Sequence, residues 1–177
     1  MTVATSGKTR NNAGKERERR VAAWFRETWP DADRSVRTGY SVADRVSQDQ
    51  GDLIGLPFLV QVKGHLRGSV QFTPGKELHD ILVATLAQTR AARLPFGFVI
   101  EQRIGVADVG GWYAWMSVDQ LLWLTRHQYS TDYDASHAGP LVRLSVNSII
   151  GWLKARFDVE VGIPVAGPAD LAQMTSG

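Results

Sequence analysis

Hydrophobic and polar positions alternate along this chain with two different periods, and the period separates helices from strands. From Lys15 to Trp29 the apolar residues Val21, Ala22, Phe25 and Trp29 recur three and four apart, with Trp24 and Thr28 at the edge. That spacing predicts an amphipathic helix, which Pro30 ends. Gly51-Asp52-Leu53-Ile54, a Gly-Leu-Pro turn, and Phe58 to Lys63 follow a period of two. They predict a hairpin over 52–63 with Phe58, Val60 and Val62 on one face and Leu59, Gln61 and Lys63 on the other. Thr73 and Pro74 predict the start of a helix to about Arg93, with Leu78, Ile81, Leu82, Thr85, Leu86 and Thr89 inward. Pro95 closes it. Phe96 to Arg103 reads as a buried strand, 105–111 as a flexible connection, and Trp112 to Met116 as its antiparallel return. Ser117 with Gln120 predicts a capping box for a helix through about Arg126.

The remaining stretches are shorter. Arg34 to Arg37 and Val70 to Phe72 read as brief strands, 38–51 and 128–140 as polar loops, and 64–68 as a turn. A strand over 141–146, a helix over 147–157 and a last strand over 159–165 precede a tail expected to fray. Residues 1–13 are small and polar, expected as a flexible arm. The order predicts an α/β fold with a central mixed β-sheet flanked by helices. The expected organisation is that arm, a core over 14–127, and a C-terminal extension over 128–177 packed on it.

Composition narrows the function classes. The 177 residues suit one domain, with 44% apolar and 21% charged residues. No run approaches the ~20 apolar residues of a membrane span, and the N-terminus has no apolar signal core, so a cytoplasmic protein is expected. Cysteine is absent, which excludes disulfides, zinc–thiolate sites and cysteine-ligated iron–sulfur clusters. Net charge is only +2, but residues 8–37 hold nine cations against five anions. That local excess suits a phosphate-rich partner, and a solvated basic helix face looks the same.

The candidate chemistry centres on 51–63. If the two halves of the hairpin pair, the Asp52 carboxylate, the Gln61 amide oxygen and the Lys63 amine converge at one strand end. Such a set can hold a hard cation with a water beside it. The plainer reading makes Lys63 a solvated edge charge and Asp52 a turn residue. Stepping back along the helix stripe by threes and fours reaches Glu18, whereas Glu16 points elsewhere. A carboxylate in line with a buried stripe needs a partner or a metal, unless it only complements the helix dipole. His65 continues the Gln61–Lys63 face if the strand runs on through Gly64, and reads as a surface or hydrogen-bonded residue. Trp112, Trp115, Trp123 and Trp152 read mostly as core, with a dimer interface as the other use.

Three segments together carry a resemblance. Gly14-Lys15-Glu16-Arg17-Glu18-Arg19-Arg20-Val21-Ala22, Gly51-Asp52-Leu53-Ile54-Gly55-Leu56-Pro57 and Gln61-Val62-Lys63 resemble, in order and spacing, the motifs of the PD-(D/E)XK nuclease superfamily. The likeness is to the Holliday-junction-resolvase-like members of archaea and bacteriophages, and it spans residues 14 to 126. It implies a restriction-endonuclease-like core. Carried over by position, Glu18 and Asp52 match the metal-binding acids, and Lys63 matches the lysine that orients the attacking water. Arg37 resembles an arginine near the scissile phosphate, and Arg19 a DNA contact. Gln61 departs from the family, which mostly has glutamate or aspartate there; an amide oxygen ligates but brings no charge.

What the resemblance implies is a Mg²⁺-dependent DNA endonuclease, with Mn²⁺ substituting, acting on branched DNA or four-way junctions as a homodimer. The catalytic set is Glu18, Asp52, Gln61 and Lys63, of which Glu18, Asp52 and Gln61 hold metal. Two other readings stand beside it. One is a restriction-type or single-strand-specific nuclease on the same core; the other is a non-catalytic DNA-binding protein with a degenerate site.

Overall fold

The computed structural model describes residues 7–35, 51–65, 76–125 and 139–157. Expectations for Arg37, for the loops over 38–50 and 128–138, for the strands over 70–72 and 159–165, for the Thr73–Pro74 helix start and for the tail lie outside them. The elements in order are α1 (Gly7–Arg26), β1 (Asp33–Arg34), β2 (Leu53–Ile54), β3 (Leu59–Lys63), α2 (Lys76–Ala91), β4 (Gly97–Glu101), a 3₁₀ turn (Val109–Gly111), β5 (Tyr113–Ser117), α3 (Val118–Thr125), β6 (Leu141–Ser145) and α4 (Val146–Phe157).

Four strands form a mixed sheet in the order β3-β4-β5-β6. β3 and β4 run parallel, joined by the α2 crossover, and β5 and β6 are antiparallel to their neighbours. Helices cover both faces, so the chain is a mixed α/β fold with a sheet flanked by helices. β4 is buried at all five residues, as the continuous apolar run of a central strand requires. Phe58, Val60, Val62, Phe98, Ile100, Ala114 and Met116 face the core shared with α1, α3 and α4. On the opposite face Val99 and Trp115 pack against Leu78, Leu82 and Leu86 of α2. The hydroxyls of Thr85 and Thr89 on that helix turn back to the carbonyls of Ile81 and Thr85 (2.7 and 2.8 Å), so their burial leaves no polar group wanting.

The capping box forms as its pattern predicts. Ser117 N–H donates to Gln120 Oε1 (2.9 Å) and Gln120 N–H to Ser117 Oγ (3.1 Å). Trp112 and Trp115 are core, Trp123 stacks on Phe96 (5.6 Å between ring centres), and Trp152 is exposed.

Two expectations are corrected. First, α1 begins at Gly7, inside the stretch 1–13 expected as a flexible arm. That stretch lacks an apolar stripe, but residues 7–13 contain no proline and extend a helix that Val21, Ala22 and Phe25 anchor further on. Second, 52–63 is not an antiparallel hairpin. β2 pairs with β1, and the contact toward β3 is a parallel bridge between Gly51 and Val60. Gly55 explains the divergence: its φ is +73°, and a Cβ there would overlap the Asp31 carbonyl, so the turn is seated against the segment before β1. Residues 141–157, expected as a strand and a helix of an extension packed on the core, form β6 and α4. β6 pairs with β5 along five residues, and Val146, Ile149 and Leu153 of α4 are buried in the main core.

Among the described residues no helix is long and apolar enough to cross a membrane.

Candidate active site

β3 is an outer strand of the sheet, and its open side is where Asp52 arrives. Asp52 N–H donates to the Val60 carbonyl (2.9 Å), and Val62 N–H donates to Asp52 Oδ2 (2.7 Å). The carboxylate thus stands in for a strand partner, satisfying an edge N–H and fixing its own position. Gly51 makes the approach feasible. Its φ is +86°, and a Cβ there would lie 2.8 Å from the Val60 carbonyl oxygen.

Gln61 and Lys63 share the opposite face of β3 from Val60 and Val62, as the period of two requires. Gln61 is 5% exposed, so both ends of its amide need partners. Its Nε2 donates to Gln88 Oε1 on α2 (2.7 Å), and its Oε1 accepts from Lys63 Nζ (3.1 Å). Lys63 Nζ also lies 4.0 Å from Asp52 Oδ2. Carboxylate, amide oxygen and ammonium therefore meet at the end of β3. They do so through the parallel bridge rather than a hairpin turn. An ammonium has three donors, and only one is engaged by Gln61.

Glu18 stands in α1 with its carboxylate toward Arg34 (3.4 Å), both side chains about four-fifths buried. Arg34 lies in β1 opposite Leu53, and Ser35 N–H donates to the Asp52 carbonyl. Glu18 is thereby linked to the segment carrying Asp52, through an arginine. Glu16 is solvated, paired with Arg19 at 3.4 Å, and both are more than half exposed. The helix turns Arg19 outward.

Two side chains at this end escaped the sequence reading. Arg17 lies flat against the backbone of Gly64, one residue past Lys63: a Cβ on Gly64 would be 3.2 Å from its guanidinium carbon. Its Nε is buried without a hydrogen-bond partner, the only such side-chain atom among the described residues. The signal was present, since four residues back from Val21 is Arg17, by the step that finds Glu18. The other is Glu101, fully buried at the end of β4 and paired in register with Lys63. Trp115 Nε1 donates to its Oε2 (2.8 Å), and His65 Nδ1 stands 3.6 Å from its Oε1. His65 thus has a buried carboxylate beside it rather than solvent alone.

The donor set suits a hard divalent cation that keeps most of its water. Asp52 gives one carboxylate and Gln61 a neutral oxygen, both near Lys63 Nζ; Mg²⁺ is usually held by one or two carboxylates plus waters and phosphate. Among the described residues no group of three or more His, Asp or Glu side chains gathers. The chain matches no family model, no curated protein and no solved structure.

Proposed function

We propose that this protein is a metal-dependent DNA endonuclease with a restriction-endonuclease-like core and the PD-(D/E)XK arrangement of site residues. The observation that carries the reading is the meeting of Asp52, Gln61 and Lys63 at one strand end, with Arg17, whose Nε lacks a partner, next to it.

Hydrolysis of a phosphodiester joins a water oxygen to phosphorus, breaks the bond to the leaving oxygen, and returns a proton to that oxygen. Lys63 has donors left for the attacking water and a phosphate oxygen, and its charge opposes the negative charge gathering on phosphorus. Arg17 presents a fork-shaped guanidinium suited to a phosphate and cannot lose its charge. Asp52 and Gln61, with Glu18 behind them, would hold Mg²⁺ or Mn²⁺. Such an ion supplies Lewis-acid polarisation of phosphate and water. Gln88 fixes the Gln61 amide so that its oxygen, and not its nitrogen, faces the reaction. Phosphate contacts of this kind position DNA without reading sequence.

Arg17 yields a test in which stability and function part. Arg17→Met keeps the stem that packs on the helix and removes a buried donor lacking a partner, a group that costs about 1–3 kcal/mol. The variant should melt at the same or a higher temperature while cleaving DNA on the order of 10²-fold more slowly. A lower melting point with unchanged cleavage would make Arg17 structural.

Preference for four-way junctions, and a two-fold homodimer making paired cuts, rest on the likeness of the ordered motifs. The neutral Gln61, bonded at both ends, favours a second reading: a DNA-binding protein without turnover. Labelled junction, duplex and single strand, each with Mg²⁺, Mn²⁺ or EDTA, separate the cases. Symmetric metal-dependent nicks in the junction support the resolvase. Equal or single-strand cutting keeps the nuclease and discards that preference, and binding without cleavage leaves the second reading.

A further inference from the structure

Phosphodiester hydrolysis requires a proton for the leaving oxygen as its bond to phosphorus breaks, and a positioned side chain can supply it. Attack is in line, so the attacking water and the leaving oxygen lie on opposite sides of phosphorus. With Lys63 given to the water, another group must face the leaving oxygen. Arg17 cannot give up its proton, and Asp52 and Gln61 have none to give. Past Lys63 the next side chain able to transfer a proton is His65.

The chain is still tied to β4 where β3 ends, because Gln102 N–H donates to the Lys63 carbonyl (3.0 Å). Glu101 pairs in register with Lys63 and shares its face of the sheet. His65 Nδ1 stands 3.6 Å from Glu101 Oε1, so the imidazole lies on that face too. Gly64, between Lys63 and His65, faces the other way, toward Arg17 of α1. Glu101 is fully buried, and its Oε2 accepts from Trp115 Nε1 (2.8 Å), which fixes the carboxylate. The His65 side chain is one-third exposed, as is that of Lys63. A carboxylate beside one ring nitrogen sets the orientation and the tautomer of an imidazole. With Nδ1 turned to Glu101, Nε2 points away from it.

We infer that His65, positioned by Glu101, is the acid that protonates the leaving oxygen of the phosphodiester. The inference rests on the nuclease reading above and adds a catalytic residue to it. As the water oxygen joins phosphorus, the bond to the leaving oxygen breaks and its electron pair stays on that oxygen. The proton on Nε2 of the imidazolium passes to the same oxygen and makes it a hydroxyl. The attacking water releases one proton to solvent, and the neutral imidazole regains one from solvent before the next turnover. Glu101 touches no reacting atom and acts only as a positioning residue.

A change of leaving atom tests it. Two DNA substrates differ only at the linkage that wild type cuts: one has the natural leaving oxygen, the other a bridging sulfur in its place. A thiolate departs without being protonated, so the sulfur substrate needs no acid. Single-turnover rates are compared for wild type, His65→Ala, Glu101→Gln and Lys63→Ala, with melting temperatures alongside. His65→Ala should cut the oxygen substrate roughly 10²-fold more slowly than wild type and the sulfur substrate at the wild-type rate. Glu101→Gln keeps an oxygen for Trp115 and should show the same split with a smaller loss; if it unfolds, His65→Ala decides alone. Lys63→Ala should be slow on both substrates. Equal slowing of the two substrates in His65→Ala would make His65 structural, and wild-type rates on both would leave the nuclease standing without this acid; either overturns the inference. A wild-type protein that cuts neither substrate would overturn the nuclease reading and this one with it.

Discussion

Lys63→Ala is expected to slow DNA cleavage by roughly 10²–10³-fold while the fold persists. The ammonium stands 3.1 Å from the Gln61 oxygen and 4.0 Å from Asp52 Oδ2 and keeps donors to spare. The side chain is one-third exposed and its ion pair with Asp52 is long at 4.0 Å, so the stability cost comes from the buried Gln61 oxygen left without its donor. A buried acceptor left unsatisfied costs about 1–3 kcal/mol. Asp52→Asn is the companion variant. An asparagine oxygen can still accept from Val62 N–H, so the edge of β3 stays capped while the negative charge is gone. Single-turnover cleavage with circular dichroism at matched concentration checks both. Full activity in Lys63→Ala would remove the proposed role of the site.

The second large effect lies far from the chemistry. Leu153→Ala should destabilise the domain by about 2–5 kcal/mol, because the side chain is fully buried and its neighbours are held by the sheet. Ile149 and Val146 of the same helix share that core, as do Phe58 and Phe98 from the strands. Phe157, the last residue of α4, adds a ring 5.3 Å from Phe58. Unfolding in urea measures the change. A loss under about 1 kcal/mol, with native activity, would show that α4 adds little to the main core.

What was legible in the sequence was what depends on near neighbours. The Ser117–Gln120 box needs residues three apart, and β4 announces itself by the apolar run from Phe96 to Ile100. The face shared by Gln61 and Lys63 follows from a period of two. Pairing across long separations was not legible. The choice of β1 over β3 as the partner of β2 depends on how closely Gly55 meets Asp31, which no local pattern records. β6 hides its place in the sheet because all five of its residues are half-buried, so no clean alternation marks a core face. At the site, Asp52, Gln61 and Lys63 were found by chemistry and come together. Arg17 was not legible because a charged residue in a charged helix reads as solvated, and the bond from Gln61 to Gln88 was not because it spans 27 positions.

The central claim is that Asp52 and Gln61 hold a divalent cation beside Lys63, and calorimetric titration with Mn²⁺ tests it most directly. Wild type should bind with a saturable isotherm, Asp52→Asn should lose it, and Gln61→Glu should tighten it by adding a charge to a hard-cation site. A wild-type protein with no saturable binding, or three identical isotherms, would contradict the account.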